Sequence, residues 1–362
     1  MAQEMQFEVL AEVETPPEVF DRIRRAKQLL GDRLVILGHH YQRDEVIQYA
    51  DKTGDSYGLS KYAANTKADF IVFCGVYFMA ETADILSPPS MQVILPDLQA
   101  GCSLADMATL EQVESAWDEI GEVTKEKIIP ITYVNSSADI KAFCGKHDGV
   151  VCTSSNARPI LEWAFQQNAK VFFFPDQHLG RNTAYAMGIP LDQMTSWNPC
   201  LHLGGGESKS IHNARVILWE GYCSVHQHFL PAHIKFWRQQ EPEIKIIVHP
   251  ECSFEVAQQS DYMGSTAYII KTIEAASPGT KWAVGTEFHL VNRLKIRHPD
   301  KMIVILSPFV CQCSTMYRID PIHLMNSLEN LVTGNIENVI KVPEETARYA
   351  RISLQRMMEL SR

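Results

Sequence analysis

Arg33-Leu-Val-Ile-Leu-Gly38 runs directly into His39-His40-Tyr41, and this stretch decides the fold because it occurs three times. Its second form is Ile128-Ile-Pro-Ile-Thr132 followed by Tyr133-Val134-Asn135. Its third is Ile244-Lys-Ile-Ile-Val248 followed by His249-Pro250-Glu251. Each run is apolar and β-like, and each ends in two polar residues at i and i+2. On an extended segment that spacing puts both side chains on one face.

The flanking sequence repeats as well. Helical patterns follow at Asp44–Ala50, Ser136–Phe143 and Ser253–Gln259. Small polar clusters come next: Gly54-Asp55-Ser56, Thr153-Ser154-Ser155 and Gly264-Ser265-Thr266. These clusters precede further helical patterns, so Ser56, Ser154, Ser265 and Thr266 are expected as N-caps, with a second role as anion ligands. Buried strands are expected at Phe70–Cys74, Val171–Phe174 and Trp282–Val284. The tripeptide Val-Ile-Leu then recurs at 93–95, 216–218 and 304–306, and a Cys-Ser pair follows each time: Cys102-Ser103, Cys223-Ser224 and Cys313-Ser314. From the Ser of each cluster to its cysteine is 46, 69 and 48 positions (Ser56, Ser154, Ser265), so the middle copy carries an insertion. We place it near 192–212, around Gly204-Gly205-Gly206, and expect a mobile loop there. It has no Gly-x-x-x-x-Gly-Lys-Ser/Thr frame of a nucleotide site.

Strands alternating with helices imply parallel sheets covered on both faces, with ligands beyond the strands' carboxyl ends. The predicted fold is α/β: three αβα three-layer units, with one active site at their junction. The expected units are 19–117, 118–240 with the insertion, and 241–330. A closing helix is expected at 343–361, opened by Pro343 and carrying the apolar stripe Ala347, Ala350, Leu354, Met357 and Leu360.

Bulk properties narrow the function. The 362 residues are 46% hydrophobic, with 33 Lys and Arg against 43 Asp and Glu, a net charge of −10. An acidic chain without a basic run argues against nucleic acid or an anionic membrane as partner. No run of 18 apolar residues predicts a membrane span, and the acidic start is unlike a signal peptide, so a cytoplasmic location is expected. The nine cysteines form no disulfide-like framework and no Cys-x-x-Cys pair. Cys74, Cys144, Cys152, Cys200 and Cys252 read as buried structural thiols. Cys102, Cys223 and Cys313 occupy equivalent places, so three thiolates could converge on a metal and leave one position open. Spacing alone does not choose zinc from iron–sulfur. Cys311 rivals Cys313 but lacks the following Ser. Among the polar pairs, Tyr41 and Glu251 suit proton transfer, and His39 and His249 suit carboxylate binding or proton steering. His226 is expected to orient the cysteine region, and Glu287 to be a supporting carboxylate.

Gly38-His-His-Tyr-Gln42, Gly54-Asp-Ser56, Tyr133-Val-Asn135, Cys152-Thr-Ser-Ser-Asn156, Gly221-Tyr-Cys-Ser-Val-His226, His249-Pro-Glu-Cys252, Gly264-Ser-Thr266 and Gly285-Thr-Glu287 together resemble the quinolinate synthase family. The resemblance runs from about residue 20 to 361. It implies three αβα layers related by a pseudo-threefold axis, with the site between them. It also implies a four-iron four-sulfur cluster on Cys102, Cys223 and Cys313, with one iron free of protein ligands. The implied reaction joins iminoaspartate to dihydroxyacetone phosphate, giving quinolinate, phosphate and two waters for NAD biosynthesis. Substrate-binding positions carry over to His39, Ser56, Tyr133, Asn135, Ser154, His249, Glu251 and Thr266, and the acid–base pair to Tyr41 and Glu251. An upstream L-aspartate-oxidising enzyme is an implied partner. Two departures stand out. The insertion, with Cys200, could be a lid or partner surface, and Cys311-Gln-Cys313 replaces a Cys-x-x-Cys-x-x-Cys run. The alternatives are a zinc-dependent hydrolase or lyase on the same cysteines, and a small-anion binding protein.

Overall fold

A computed structural model describes residues 15–309 and 312–361, so Cys311 and the first 14 residues lie outside the described residues. The first sheet holds β1 (Leu34–His39), β2 (Lys52–Gly54), β3 (Phe70–Cys74) and β4 (Gln92–Ile94). The second holds β5 (Ile128–Tyr133), β6 (Val150–Cys152), β7 (Lys170–Phe174), β8 (Met194–Trp197) and β9 (Val216–Trp219). The third holds β10 (Lys245–Val248), β11 (Tyr262–Met263), β12 (Lys281–Gly285) and β13 (Met302–Ile305). A last strand, β14 (Val339–Ile340), returns to the first sheet.

All three sheets share one strand order. It reads β2-β1-β3-β4, β6-β5-β7-β9 and β11-β10-β12-β13, with every one of these pairings parallel. The central strands are buried on both faces, as the apolar runs Phe70–Cys74 and Lys170–Phe174 require. The repeat read from the sequence is therefore a repeat of topology. In each sheet the order reverses beside the first strand, which is where crevices form at the strands' carboxyl ends. The chain is α/β, with mostly parallel sheets.

The copies differ at their edges. β14 pairs antiparallel with β4, an exception to the parallel expectation. The insertion supplies β8, which pairs parallel with β9 as the outer strand of the second sheet. It then forms a tight turn at His202–Gly205 and the helix Ser208–Asn213. The mobile-loop expectation is corrected here. Leu203, Gly204 and Gly205 adopt positive φ, and a Cβ on Gly204 would come within 2.7 Å of the buried Trp197 ring. Cys200, expected buried, is exposed.

The expected unit boundaries also need moving. The helix Leu110–Val123 straddles 117/118, and its Val113, Ala116 and Ile120 pack with Phe143, Phe172, Trp197 and Trp219 of the second unit. The helix Pro231–Gln240 belongs with the third unit, where Ile234 packs on Ile244 and Ile246. The end of the chain then ties the units together. The helix Pro321–Thr333 packs on Pro17–Leu30, and the helix Glu344–Leu360 packs on Ala138–Lys146. That second contact is so close that a Cβ on Gly145 would lie 2.0 Å from the Tyr349 carbonyl oxygen. Ala347, Ala350, Leu354 and Met357 are buried as the stripe requires, each worth up to about 3 kcal/mol where large and fully buried; Leu360 is half-buried.

Candidate active site

The three strand-end pairs and the three cysteines line one central cavity. His39, Tyr41, Ser56 and Cys102 come from the first unit. Tyr133, Asn135, Ser154 and Cys223 come from the second, and His249, Glu251, Thr266 and Cys313 from the third. Every residue singled out as catalytic, substrate-binding or metal-ligating reaches this cavity. Thr153, Asp55, Tyr57, Val76, Phe78 and Met79 also line it without having been singled out for the site. No residue of 192–212 does so, and the insertion forms no lid over it.

The strand ends use one local device twice. The Tyr41 backbone N–H donates to His39 Nδ1 at 3.2 Å, and the Glu251 backbone N–H donates to His249 Nδ1 at 3.4 Å. An acceptor Nδ1 leaves the proton on Nε2, so each neutral imidazole presents an N–H donor. Burial brings both histidines down to about 3.

The i+2 residues diverge. Burial and the nearby Glu251 charge push the Tyr41 hydroxyl well above its ordinary range. Burial opposes charge on Glu251, yet His249 and His226, with the Tyr133 hydroxyl, bring its carboxyl down to about 2. Tyr41 therefore holds its proton and Glu251 lacks one. A line of polar atoms joins them. Tyr41 Oη lies 2.8 Å from Thr286 Oγ1, which is 3.3 Å from His226 Nε2; His226 Nδ1 is 2.6 Å from Glu251 Oε2. His226 thus stands beside the Glu251 carboxylate as well as beside Cys223. Its signal was the motif Cys223-Ser-Val-His226, and Thr286 had only the Gly285-Thr-Glu287 motif to mark it.

The helix starts bear out the capping expectation for Ser265 and correct it for Ser56, Ser154 and Thr266. Asp55, not Ser56, caps the first helix by accepting from the Gly58 N–H at 2.8 Å. Asn156 holds the N-cap position in the second, and Ser265 accepts from Tyr268 N–H in the third. Ser56 and Thr266 are the first helical residues, and Ser154 precedes its cap. Their hydroxyls are thus released for the cavity, with Thr266 Oγ1 3.0 Å from Tyr41 Oη.

The units are clamped around this cavity. Arg293 donates to the carbonyls of His40 and Gln42 and to Asp44, holding the third unit on the first. Asn182 donates to the carbonyls of Pro250 and Cys252, holding the second on the third. Ser155 donates to Asp55 at 2.8 Å between the first two.

The cysteines sit alike. Each sulfur faces N–H groups of the turn behind it: Leu104 and Ala105 for Cys102, His226 for Cys223, Thr315 and Met316 for Cys313. As bare thiols all three are pushed up by burial, Cys102 to about 12. A metal reverses that by supplying positive charge, and N–H donors aimed at sulfur suit metal thiolates. The backbone N–H groups of Cys223 and Cys313 face the carboxylates of Asp176 and Glu287, which are themselves helix N-caps. Glu287 is fully buried and caps His289 and Leu290, the supporting role expected of it. Among the described residues, Cys223, His226 and Glu251 form a group whose ligand atoms all lie within 4.8 Å of one another; the three cysteine sulfurs do not.

The profile of the family described as "NadA: Quinolinate synthetase A protein" matches residues 21–359. The chain belongs to this family. It is 58% identical to the quinolinate synthase of Herpetosiphon aurantiacus over 348 residues, covering 95% of this chain and 93% of the relative. It is 56% identical to that of Rhodopirellula baltica, covering 93% of this chain and 89% of the relative. The quinolinate synthase of Anoxybacillus flavithermus is 55% identical, with 94% and 93% covered. Among the described residues no helix is long and apolar enough to cross a membrane.

Proposed function

We propose that this chain is a quinolinate synthase, joining iminoaspartate to dihydroxyacetone phosphate to give quinolinate, phosphate and two waters. The observation that carries this reading is one cavity that gathers a cysteine and a polar strand-end pair from each of three units, in a chain of that family.

The proposed cofactor is a four-iron four-sulfur cluster on Cys102, Cys223 and Cys313. The residues fit it, since three partly buried cysteines, each with backbone N–H groups near its sulfur, line one cavity. When bound, the cluster supplies a Lewis acid at the iron without a protein ligand, suited to polarising substrate oxygen and helping hydroxide leave. A single zinc on the same three cysteines would need sulfurs about 3.8 Å apart, given Zn–S bonds near 2.3 Å. The wider spread weighs against the zinc hydrolase alternative.

The protein's own groups account for the rest. The Nε2–H donors of His39 and His249 and the hydroxyls of Ser56, Ser154 and Thr266 bind carboxylate and phosphate oxygens. Tyr133 and Asn135 orient the substrates from the second unit; Asn135 Oδ1 is buried without a hydrogen-bond partner, which leaves it for a substrate N–H or O–H. Phosphate elimination, imine condensation and dehydration each move protons between carbon, nitrogen and oxygen. Ionised Glu251 takes them and protonated Tyr41 gives them. The enzyme upstream would oxidise L-aspartate, because its product is the unstable imine consumed here. The location would be the cytoplasm.

The test is anaerobic. Cluster-loaded chain supplied with both substrates should form quinolinate, with visible absorption and about four irons per chain. Ligand-dependent stabilisation without turnover would instead favour the anion-binding alternative.

A further inference from the structure

We infer that the cluster-free chain binds one zinc ion at Cys223, His226 and Glu251, in a state that excludes both the cluster and the substrates. The exclusion rests on the cluster reading above; the zinc site itself does not.

Three donors of different type lie within 4.8 Å of one another, and His226 and Glu251 are almost wholly buried. A tetrahedral zinc, with bonds of about 2.0–2.3 Å, holds its donors roughly 3.3–3.8 Å apart. The His226 Nδ1 to Glu251 Oε2 separation of 2.6 Å therefore opens by less than 1 Å. The outer partner is already in place, since His226 Nε2 lies 3.3 Å from Thr286 Oγ1, and ligating imidazoles characteristically have their second nitrogen held this way. Glu251 Oε1 is buried with no hydrogen-bond partner, an orphan that carboxylate coordination relieves.

Charge favours the same set. One thiolate and one carboxylate neutralise a divalent ion, so the complex adds no net charge to a buried cavity. The fourth position faces the cavity and takes water. Zinc on Cys223 removes one sulfur from the cluster set, and zinc on Glu251 removes the base. A site assembled for one metal group thus has a smaller competitor built into it.

Cobalt is the spectroscopic probe. Cluster-free full-length chain titrated anaerobically with Co2+ should bind one equivalent, with a sulfur-to-cobalt charge-transfer band and tetrahedral ligand-field bands. Zinc should displace the cobalt. Cys223→Ser and His226→Gln should each weaken cobalt binding at least tenfold, while Cys102→Ser and Cys313→Ser bind as the parent does. Equal loss in Cys102→Ser would overturn the assignment in favour of a three-sulfur site, and undiminished binding in His226→Gln would overturn it outright. Zinc-loaded chain should take up less than a tenth of the iron that zinc-free chain does on reconstitution; full uptake would refute the exclusion. Quinolinate formation by iron-loaded chain never exposed to zinc separates the two claims. Its absence alongside normal cobalt binding sinks the proposed function and leaves the zinc site standing.

Discussion

The ends of β1 and β10 are the same device with different payloads. In both, a buried histidine accepts a backbone N–H through Nδ1 and presents Nε2–H to the cavity. Two residues on, the first unit has a phenol and the third a carboxylate. Tyr41 rests among the Thr266 and Thr286 hydroxyls, and burial with the nearby Glu251 charge keeps its proton in place. Glu251 rests among His226, His249 and Tyr133, which favour its charged form. Environments that drive two neighbouring groups apart in this way are how acid and base are assigned within one cavity. The repeat supplies equivalent positions, and the neighbours of each position supply the chemistry.

The largest effects should come where the units are alike. Cys102→Ala, Cys223→Ala and Cys313→Ala should each reduce retained iron and quinolinate formation to background, whereas exposed Cys200→Ala should leave both unchanged. Parent-like iron in any one of the three would break the equivalence. Next come the payloads. Glu251→Gln and Tyr41→Phe should each lower kcat about 10²–10⁴-fold with iron content kept, as expected for general acid–base groups. Either variant retaining more than a tenth of parental kcat removes that group from the proton chemistry.

The histidines sharpen the comparison through pH. Their folded values of about 3 lie below the ordinary 6.5. The unfolded chain therefore binds protons that the folded chain refuses. The stability involved is fully present above pH 6.5 and is lost as pH falls toward 3. Urea midpoints of cluster-free chain should fall between pH 7 and 5, a window above the range in which Glu251 titrates. His249→Gln should flatten that slope. Tyr133→Phe should not, since the second unit has no histidine at this position; equal slopes in parent and His249→Gln would contradict the buried neutral imidazole.

The sequence made the strands and the convergence legible because both rest on short-range patterns. Apolar runs such as Phe70–Cys74 map onto a strand residue for residue, and equivalent positions in a repeat must meet if the units pack together. What stayed hidden depends on partners distant in the chain. The helix Leu110–Val123 was assigned across two units because its destination is set by Trp197 and Trp219, far along the chain. Thr286 carried no repeat-wide mark, and its role exists only because Tyr41 and His226 arrive on either side of it. The insertion read as mobile from its glycines. Instead, Gly204 and Gly205 provide positive φ so that the turn can close over Trp197.

The smallest effect separates capping from binding at one helix start. Sequence favoured Ser56 as the cap, but the bond to Gly58 N–H comes from Asp55, which also holds Ser155 of the second unit. Asp55→Ala should therefore cost about 1 kcal/mol of stability, the usual worth of a side-chain cap. Ser56→Ala should change stability by less than about 0.5 kcal/mol, as surface-type substitutions without a structural bond do. Its effect should fall on substrate instead, raising KM several-fold with kcat little changed, because a ground-state hydroxyl contact to an anion is lost. Denaturant unfolding and steady-state kinetics on the two variants check this together. A reversed pattern, with Ser56→Ala destabilised and its KM unchanged, would return the hydroxyl to the helix and remove it from the site.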